Sequence, residues 1–305
     1  MATPRRDPAR GILQPAAGAR RFRLDRYLPA EDLASTVEHH WIVRWDLPPG
    51  ERHAQDVLPY PSVHLVLERG GSLVRGVTTG RFTRLIEGRG MVHGIKFRPG
   101  AFRPFLDRPV SAISDQVVAL GALFGEEARA LEEAVLDAPD DDTRVETADA
   151  FLRGRASAPD DAGRLAGRIV AAIEQDRAIV RVDDVARRFE VGARSLQRLF
   201  REHVGVSPKW VIKRFRLHEA LEQVSAGRAV DWPELALALG YFDQAHFIRD
   251  FKAIVGEPPG DYARRSRGVV GKFGERFGDP GGPDSVEPTS TGGSARQCVT
   301  EERRR

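Results

Sequence analysis

Residues 182–205 read VDDVARRFEVGARSLQRLFREHVG, and residues 231–256 read DWPELALALGYFDQAHFIRDFKAIVG. Each stretch spells a short helix, a turn and a second helix with a polar outer face. In the first, Val185, Ala186 and Phe189 share one helical face. The turn is expected at Val191-Gly192, after which Leu196, Leu199, Phe200 and Val204 form a second apolar stripe. Arg194, Gln197, Arg198 and Arg201 then fall at i, i+3, i+4 and i+7 on the opposite face. In the second stretch Leu235, Ala236 and Leu239 line the short helix and Gly240 permits the turn. Phe247, Phe251, Ile254 and Val255 anchor the helix that follows, leaving Gln244, Ala245, Arg249 and Lys252 outward. Two short helices with a turn, the second presenting Arg and Gln, fit a DNA major groove.

Between the two units lies SPKWVIKRFRLHEALEQV, Ser207 to Val224. Ser207 is a good N-cap and Pro208 a good first helical residue. Trp210, Val211, Phe215, Leu217 and Leu221 give this helix buried contacts, so it can hold both units at a fixed separation. Asp231 and Glu234 have the spacing of a capping box. The formal charge of +3 conceals a segregation. Residues 177–217 hold eleven Lys and Arg against four acids, whereas residues 126–161 hold twelve acids against four arginines. Basic charge gathered on one domain is the footprint of a polyanionic partner. Charge alone would sooner describe a solvated helix face; the helical spacing favours the partner.

Upstream, residues 1–21 are rich in Arg, Pro and Ala without periodicity and read as a flexible arm. From Phe22 to Gly100 the pattern favours strands. HHWIVRWDLPPG, DVLPYPSVHLVLERGG, SLVRGVTTG, RFTRLIEGRG and MVHGIKFRPG are short β-branched or aromatic runs closed by Gly or Pro. PAEDLASTVEHH is expected to hold a short helix. Such strands suggest a β-barrel or sandwich with a cavity able to take a small molecule. Residues 101–180 turn helical, with Asp140-Asp141-Asp142 capping one helix and SAPDD at 157–161 marking a domain boundary near Ser157. After residue 265 the chain is rich in Gly, Pro, Ser and charge, and disorder is expected over 266–305.

The fold class expected is therefore α+β: a β-rich, barrel-like N-terminal domain over 22–156 whose C-terminal part is helical, and an all-α domain over 157–265. At 305 residues the chain can hold two cores. It lacks an apolar run long enough for a membrane span, and the first residues have no apolar core of a secretory signal. One cysteine, Cys298, permits no intrachain disulfide, which suits a reducing cytoplasm.

The C-terminal segment, about residues 160–265, resembles the AraC-type (AraC/XylS) family of transcription regulators. The resemblance is carried by Leu196-Gln197-Arg198-Leu199-Phe200, Gly205-Val206-Ser207-Pro208 and Ala236-Leu237-Ala238-Leu239-Gly240-Tyr241, in the family's order. Phe247-Ile248-Arg249-Asp250-Phe251-Lys252 and Gly256-Glu257-Pro258-Pro259-Gly260-Asp261-Tyr262 complete it. It implies seven helices with two helix-turn-helix units joined by a long helix, each recognition helix entering a major groove. By the family's pattern Arg194, Gln197 and Arg198 face bases from the first unit. Gln244, Ala245 and Arg249 do so from the second, with His246 near the backbone. The family often has Ser where Gly192-Ala193 and Asp243 stand; both are sound caps. WIVRWDLPPG through IKFRPGAFRP is similar to an uncharacterised β-rich domain found in some members.

Arginine can donate twice to guanine and Gln can pair with adenine, which suits Arg194, Gln197, Arg198, Gln244 and Arg249 to reading bases. Arg187, Arg188, Arg201, Lys209, Lys213 and Arg214 are expected at phosphates or in solvent. His39, His40, His53, His64 and His93, with Asp56 and Glu68, were they clustered, could hold a metal, but their spacings form no one motif. Trp41, Trp45, Tyr60 and Phe97 suit the core, or a ligand's lining. No nucleophile elbow or phosphate loop is present, so no catalysis and no cofactor are expected. The sequence thus describes a regulator binding double-stranded DNA, its N-terminal domain sensing an effector of unspecified identity or mediating association. RNA polymerase and a second copy of the chain are possible partners. The rivals are a metal-dependent barrel fused to a DNA-binding module, and a ligand-free oligomerisation scaffold.

Overall fold

The computed structural model describes Leu13, Gly18, residues 20–155 and 159–274, with side chains to Ser266. Eight strands come first: β1 Phe22–Tyr27, β2 Val37–Asp46, β3 Arg52–Val57, β4 His64–Leu67, β5 Leu73–Arg75, β6 Phe82–Glu87, β7 Arg89–Phe97 and β8 Val117–Ala119. Six form one antiparallel sheet in the order β1-β2-β7-β4-β5-β8; β3 and β6 pair separately as a two-stranded ribbon. The N-terminal part is β-rich, as its Gly-punctuated runs indicate, but among the described strands the sheet does not close into a barrel. Its edges, β1 and β8, are not paired with each other. PAEDLASTVEHH gives only one 3-10 turn, Glu31–Leu33, because β2 begins at Val37 and takes the rest of the run.

Strand alternation gives the sheet two distinct faces. From β2, His40 and Ile42 point to one face, where Ile42 packs with Tyr27 and Val145. His39, Trp41, Val43 and Trp45 point to the other, which lines a cavity. Two glycines inside β7 make that face possible. Gly94 lies opposite Trp41 and Gly90 opposite Trp45. A Cβ on Gly94 would stand 1.9 Å from the Trp41 ring, and one on Gly90 2.2 Å from the Trp45 ring. The indoles lie flat across a strand that has no side chain there to lift them.

Ten helices follow among the described residues: α1 Leu120–Phe124, α2 Glu127–Leu136, α3 Asp141–Arg153, α4 Asp161–Gln175, α5 Val182–Phe189, α6 Ala193–His203, α7 Pro208–Ser225, α8 Trp232–Ala238, α9 Gln244–Val255 and α10 Pro259–Gly274. Half of these helix starts are written in the sequence as side-chain caps. Asp140 and Asp160 accept from the backbone N–H of Thr143 and Gly163 at 2.8 and 2.6 Å. Ser207, Asp231 and Asp243 cap α7, α8 and α9 in the same way. The second turn uses Gly240 at φ +70°, as expected. The first turn also lies where expected, between Phe189 and Ala193; within it Glu190 takes the left-handed conformation at φ +54°, while Gly192 is the extended N-cap of α6.

The core does not stop at the domain boundary. One cluster of buried side chains includes Phe97, Phe102 and Val110 from the strand-rich part and Ile173, Leu196, Phe200 and Phe215 from the helical part. A second gathers Leu58 with Leu217, Phe247, Phe251 and Tyr262. Leu13 belongs to it, 6% exposed and hydrogen-bonded through its backbone to Asp56 and to the Gln55 side chain. Within the flexible arm expected over 1–21, Leu13 is thus held and Arg21 pairs with Glu51; most of that segment lies outside the described residues, as do Cys298 and 275–305 of the expected disordered tail. The part of that tail that is described continues α10 to Gly274.

Gly205 marks how closely the parts meet. At φ +94° its carbonyl accepts from Ser114 Oγ at 2.7 Å, and a Cβ there would lie 2.8 Å from that oxygen. Gly205→Ala is therefore expected to cost more than about 1 kcal/mol through strain and collision. A thermal unfolding midpoint equal to wild type would refute the close approach. Phe251, 1% exposed, lies in the second cluster among Phe247, Val255 and Tyr262. Phe251→Ala should cost about 3–5 kcal/mol, whereas Leu237→Ala, at a side chain 74% exposed, should leave the midpoint nearly unchanged. Equal effects in calorimetry would reverse the assigned helix faces.

Candidate functional site

In both tandem units the second helix presents one face to solvent. On α6, Leu196 and Phe200 are buried, while Arg194, Gln197, Arg198 and Arg201 are exposed. On α9, Phe247, Phe251 and Val255 are buried, while Gln244, Ala245, His246 and Arg249 are exposed. The helices' inward faces fix these outer residues in orientation, since each is within three positions of a buried anchor on a rigid helical turn.

The arginines differ in how their charge is spent. On α5, Arg187 pairs with Asp184 at 2.6 Å and Arg188 pairs with Asp176. Nearby, Arg103 binds Glu202 at 2.6 Å. Arg194, Arg198, Arg201 and Arg249 have no carboxylate partner among the described residues. Four guanidiniums on two parallel-role helices are left to meet something else. His246 lies 3.6 Å from Asp250, and its ring sits edge-on to Tyr241 at 5.0 Å. Phe242, just before α9, is 98% exposed.

Arg214 is a correction. Expected at phosphate or in solvent, it is 2% exposed. Its Nη2 donates to the Thr79 carbonyl at 2.6 Å, its guanidinium lies 4.5 Å from the Trp210 ring centre, and Nη1 has no hydrogen-bond partner among the described residues. Burial pushes its pKa down to about 10. Lys213 is half-buried over the Tyr241 ring at 3.7 Å, and burial lowers its pKa. Sequence periodicity could not find these roles, because the partners come from other elements.

The strand-rich part holds a cavity of about 620 Å³ between the large sheet and the β3–β6 ribbon. Trp41, Trp45 and Tyr60 line it; Phe97 is wholly buried in the core instead. Its wall also includes Glu174 from α4, a helix of the C-terminal part. The five candidate histidines are not brought together. His39 and His64 face the cavity, and His53 meets Gln55 on the ribbon at 3.3 Å. His40 and His93 lie on the opposite face, where His40 joins His93 and Asp149 at 3.0 Å each. Burial lowers the His93 pKa. Among the described residues no three His, Cys, Asp or Glu side chains converge as metal ligands. No described helix is long and apolar enough to cross a membrane.

Comparison with known proteins agrees with this geometry. Residues 185–265, from α5 into α10, match a family described as a helix-turn-helix domain, and residues 25–119 match a domain of unknown function (DUF6597). The chain is 34% identical over 116 residues to the HTH-type transcriptional regulator GlxA of Rhizobium meliloti (strain 1021). That alignment covers 37% of this chain and 36% of the relative, so the chain spans little more than a third of the length of the curated relative it matches. Among solved structures, ToxT of Vibrio cholerae is 12% identical with a TM-score of 0.36, covering 80% of this chain and 98% of that one. Residues 185–265 form a helix-turn-helix domain of the AraC type, carried behind an N-terminal domain of unknown function.

Proposed function

We propose that the protein is a sequence-specific transcription regulator that binds double-stranded DNA through both recognition helices. The observation that carries this reading is the set of exposed, unpaired arginines on α6 and α9, against the paired arginines of α5. Arg194, Gln197 and Arg198 read bases from the first unit; Gln244, Ala245 and Arg249 read them from the second. Arg201 and His246 orient each unit on the backbone. No catalytic step and no cofactor belong to this reading, and the site of action is the cytoplasm, where the DNA is.

The N-terminal domain, taken as residues 22–156, acts as the sensor. Its cavity has the size and largely apolar walls of a small-molecule site. Glu174, on α4, puts the domain read as 157–265 into the cavity wall, and Tyr60 stacks edge-on against Phe215 of α7 at 5.9 Å. An occupant is therefore felt directly by helices that carry the DNA-reading units. RNA polymerase and a second copy of the chain are the further partners of such a regulator.

The experiment is a selection of bound sequences from random DNA. Arg198→Ala should blur the preferred site, at a cost of about 1–3 kcal/mol on it and little on random DNA. Arg187→Ala removes an arginine already paired with Asp184, and should return the wild-type site. The same site from Arg198→Ala as from wild type would reject the assignment.

A further inference from the structure

The cavity's chemistry is uneven, and the unevenness is organised by strand register. His39 pairs with Lys96, Lys96 with His64, and His64 with Arg75 across β2, β7, β4 and β5. All four side chains line the cavity. They form one transverse row of nitrogen-bearing groups along the floor of an otherwise ring-rich chamber, whose aromatic walls include Trp41, Trp45, Tyr60 and Phe82.

The charges in this row are not all neutralised within it. Lys96 is met by Glu38 at 2.8 Å and lies 4.1 Å from the Tyr60 ring centre. Burial alone would raise Glu38, yet His39 and Lys96 hold it down to about 2, so this pair stays ionised. Arg84 is taken up by Glu68. Arg75 has only the Phe82 ring, 4.7 Å away, and no carboxylate among the described residues. Burial and the nearby Arg84 charge both press against its ionised form. A guanidinium cannot shed its proton at physiological pH, so the remaining way to relieve it is an anion.

Two further donors point the same way. Ser62, 3% exposed, lines the cavity with a hydroxyl that has no hydrogen-bond partner among the described residues. Trp41 Nε1 donates to His64 Nδ1 at 3.2 Å, and burial drives the His64 pKa down to about 3. A neutral His64 accepting at Nδ1 carries its hydrogen on Nε2, as a donor.

Resting on the reading of this cavity as a sensor site, we propose that its ligand is an aromatic monocarboxylate, with the ring between the cavity's aromatic walls and the carboxylate held by Arg75. Arg75 offers two parallel N–H donors to the carboxylate, and the ligand's negative charge completes the row. The aromatic walls favour a flat ring over a flexible chain, since rings stack offset or edge-on at little entropic cost.

The test uses the full chain and three acids, benzoate, 2-naphthoate and indole-3-acetate, each beside its neutral amide. Binding is followed by calorimetry and by quenching of the tryptophan emission. For at least one acid, wild type should bind the acid roughly tenfold or more tighter than the amide. Arg75→Gln should bring the two within a few-fold, with its unfolding midpoint checked against wild type. Equal binding of acid and amide by wild type would overturn the anion while leaving the cavity a ring-binding site. A preference for the acid that survives in Arg75→Gln would overturn Arg75 as its holder. Binding of none of the six compounds would overturn this proposal while leaving the sensor reading to a ligand of another class. Were Arg75→Gln to unfold, the acid-to-amide ratio of wild type decides the ligand class by itself.

Discussion

Helix α7 is buried on nearly every side, and the rest of the molecule is arranged by that constraint. Val211, Ile212, Phe215, Leu221 and Val224 are buried, as an apolar face should be, but so are Arg214, Arg216 and His218. A helix buried all round has neighbours all round. The three polar side chains reach the Thr79, Ile173 and Pro59 carbonyls respectively, so each buried nitrogen-bearing group ties α7 to a different segment. Withdrawing α7 would leave those groups desolvated and unpaired, which is more costly than losing apolar contact alone. The two DNA-reading units, the first cluster and the strand-rich domain are therefore held against one rod, and a shift in any of them is felt along it.

The large sheet divides its work by strand alternation. One face packs on helices and carries the sealed His40, His93 and Asp149 chain; the other carries the cavity. Adjacent residues of β2 serve opposite ends, with His39 in the cavity wall and His40 in the core. A one-residue register slip would exchange them, placing Ile42 in the cavity and Trp41 in the core. The glycines of β7 under Trp41 and Trp45 pin the register by allowing only one fit. The cavity is thus a consequence of how the sheet is built, and its wall is finished by Glu174 from the other part of the chain.

Much of the DNA-reading half was legible because its signals are local. Apolar spacing set which faces of α6 and α9 are buried, and Ser207, Asp231 and Asp243 announced helix starts through bonds three residues long. What was not legible depends on distance along the chain. Arg214 meets Thr79 across 135 residues and His218 meets Pro59 across 159, so no window of sequence marks them as buried. The strands were visible as runs, but the separate pairing of β3 with β6 was not, because nothing local encodes which strand a run will join. The histidines looked like a pool of ligands until alternation placed His39 and His40 on opposite faces. The first turn was legible at Val191-Gly192, but the left-handed residue within it, Glu190, was not, since a residue other than glycine leaves no compositional mark there.

The central claim is that one chain reads DNA twice, through α6 and through α9 held apart by α7. A helix of 18 residues spans about 27 Å at roughly 1.5 Å per residue. Successive major grooves on one face of DNA lie about 34 Å apart, a gap that the width of the flanking helices and modest DNA bending can close. The most direct measurement is a high-resolution chemical footprint of one protomer on its selected site, in wild type and in the double variant Gln244→Ala, Arg249→Ala. The account predicts two protected base-specific blocks on one DNA face, with only the second lost in the variant. A single block in wild type, or two blocks unaffected by the variant, would contradict it.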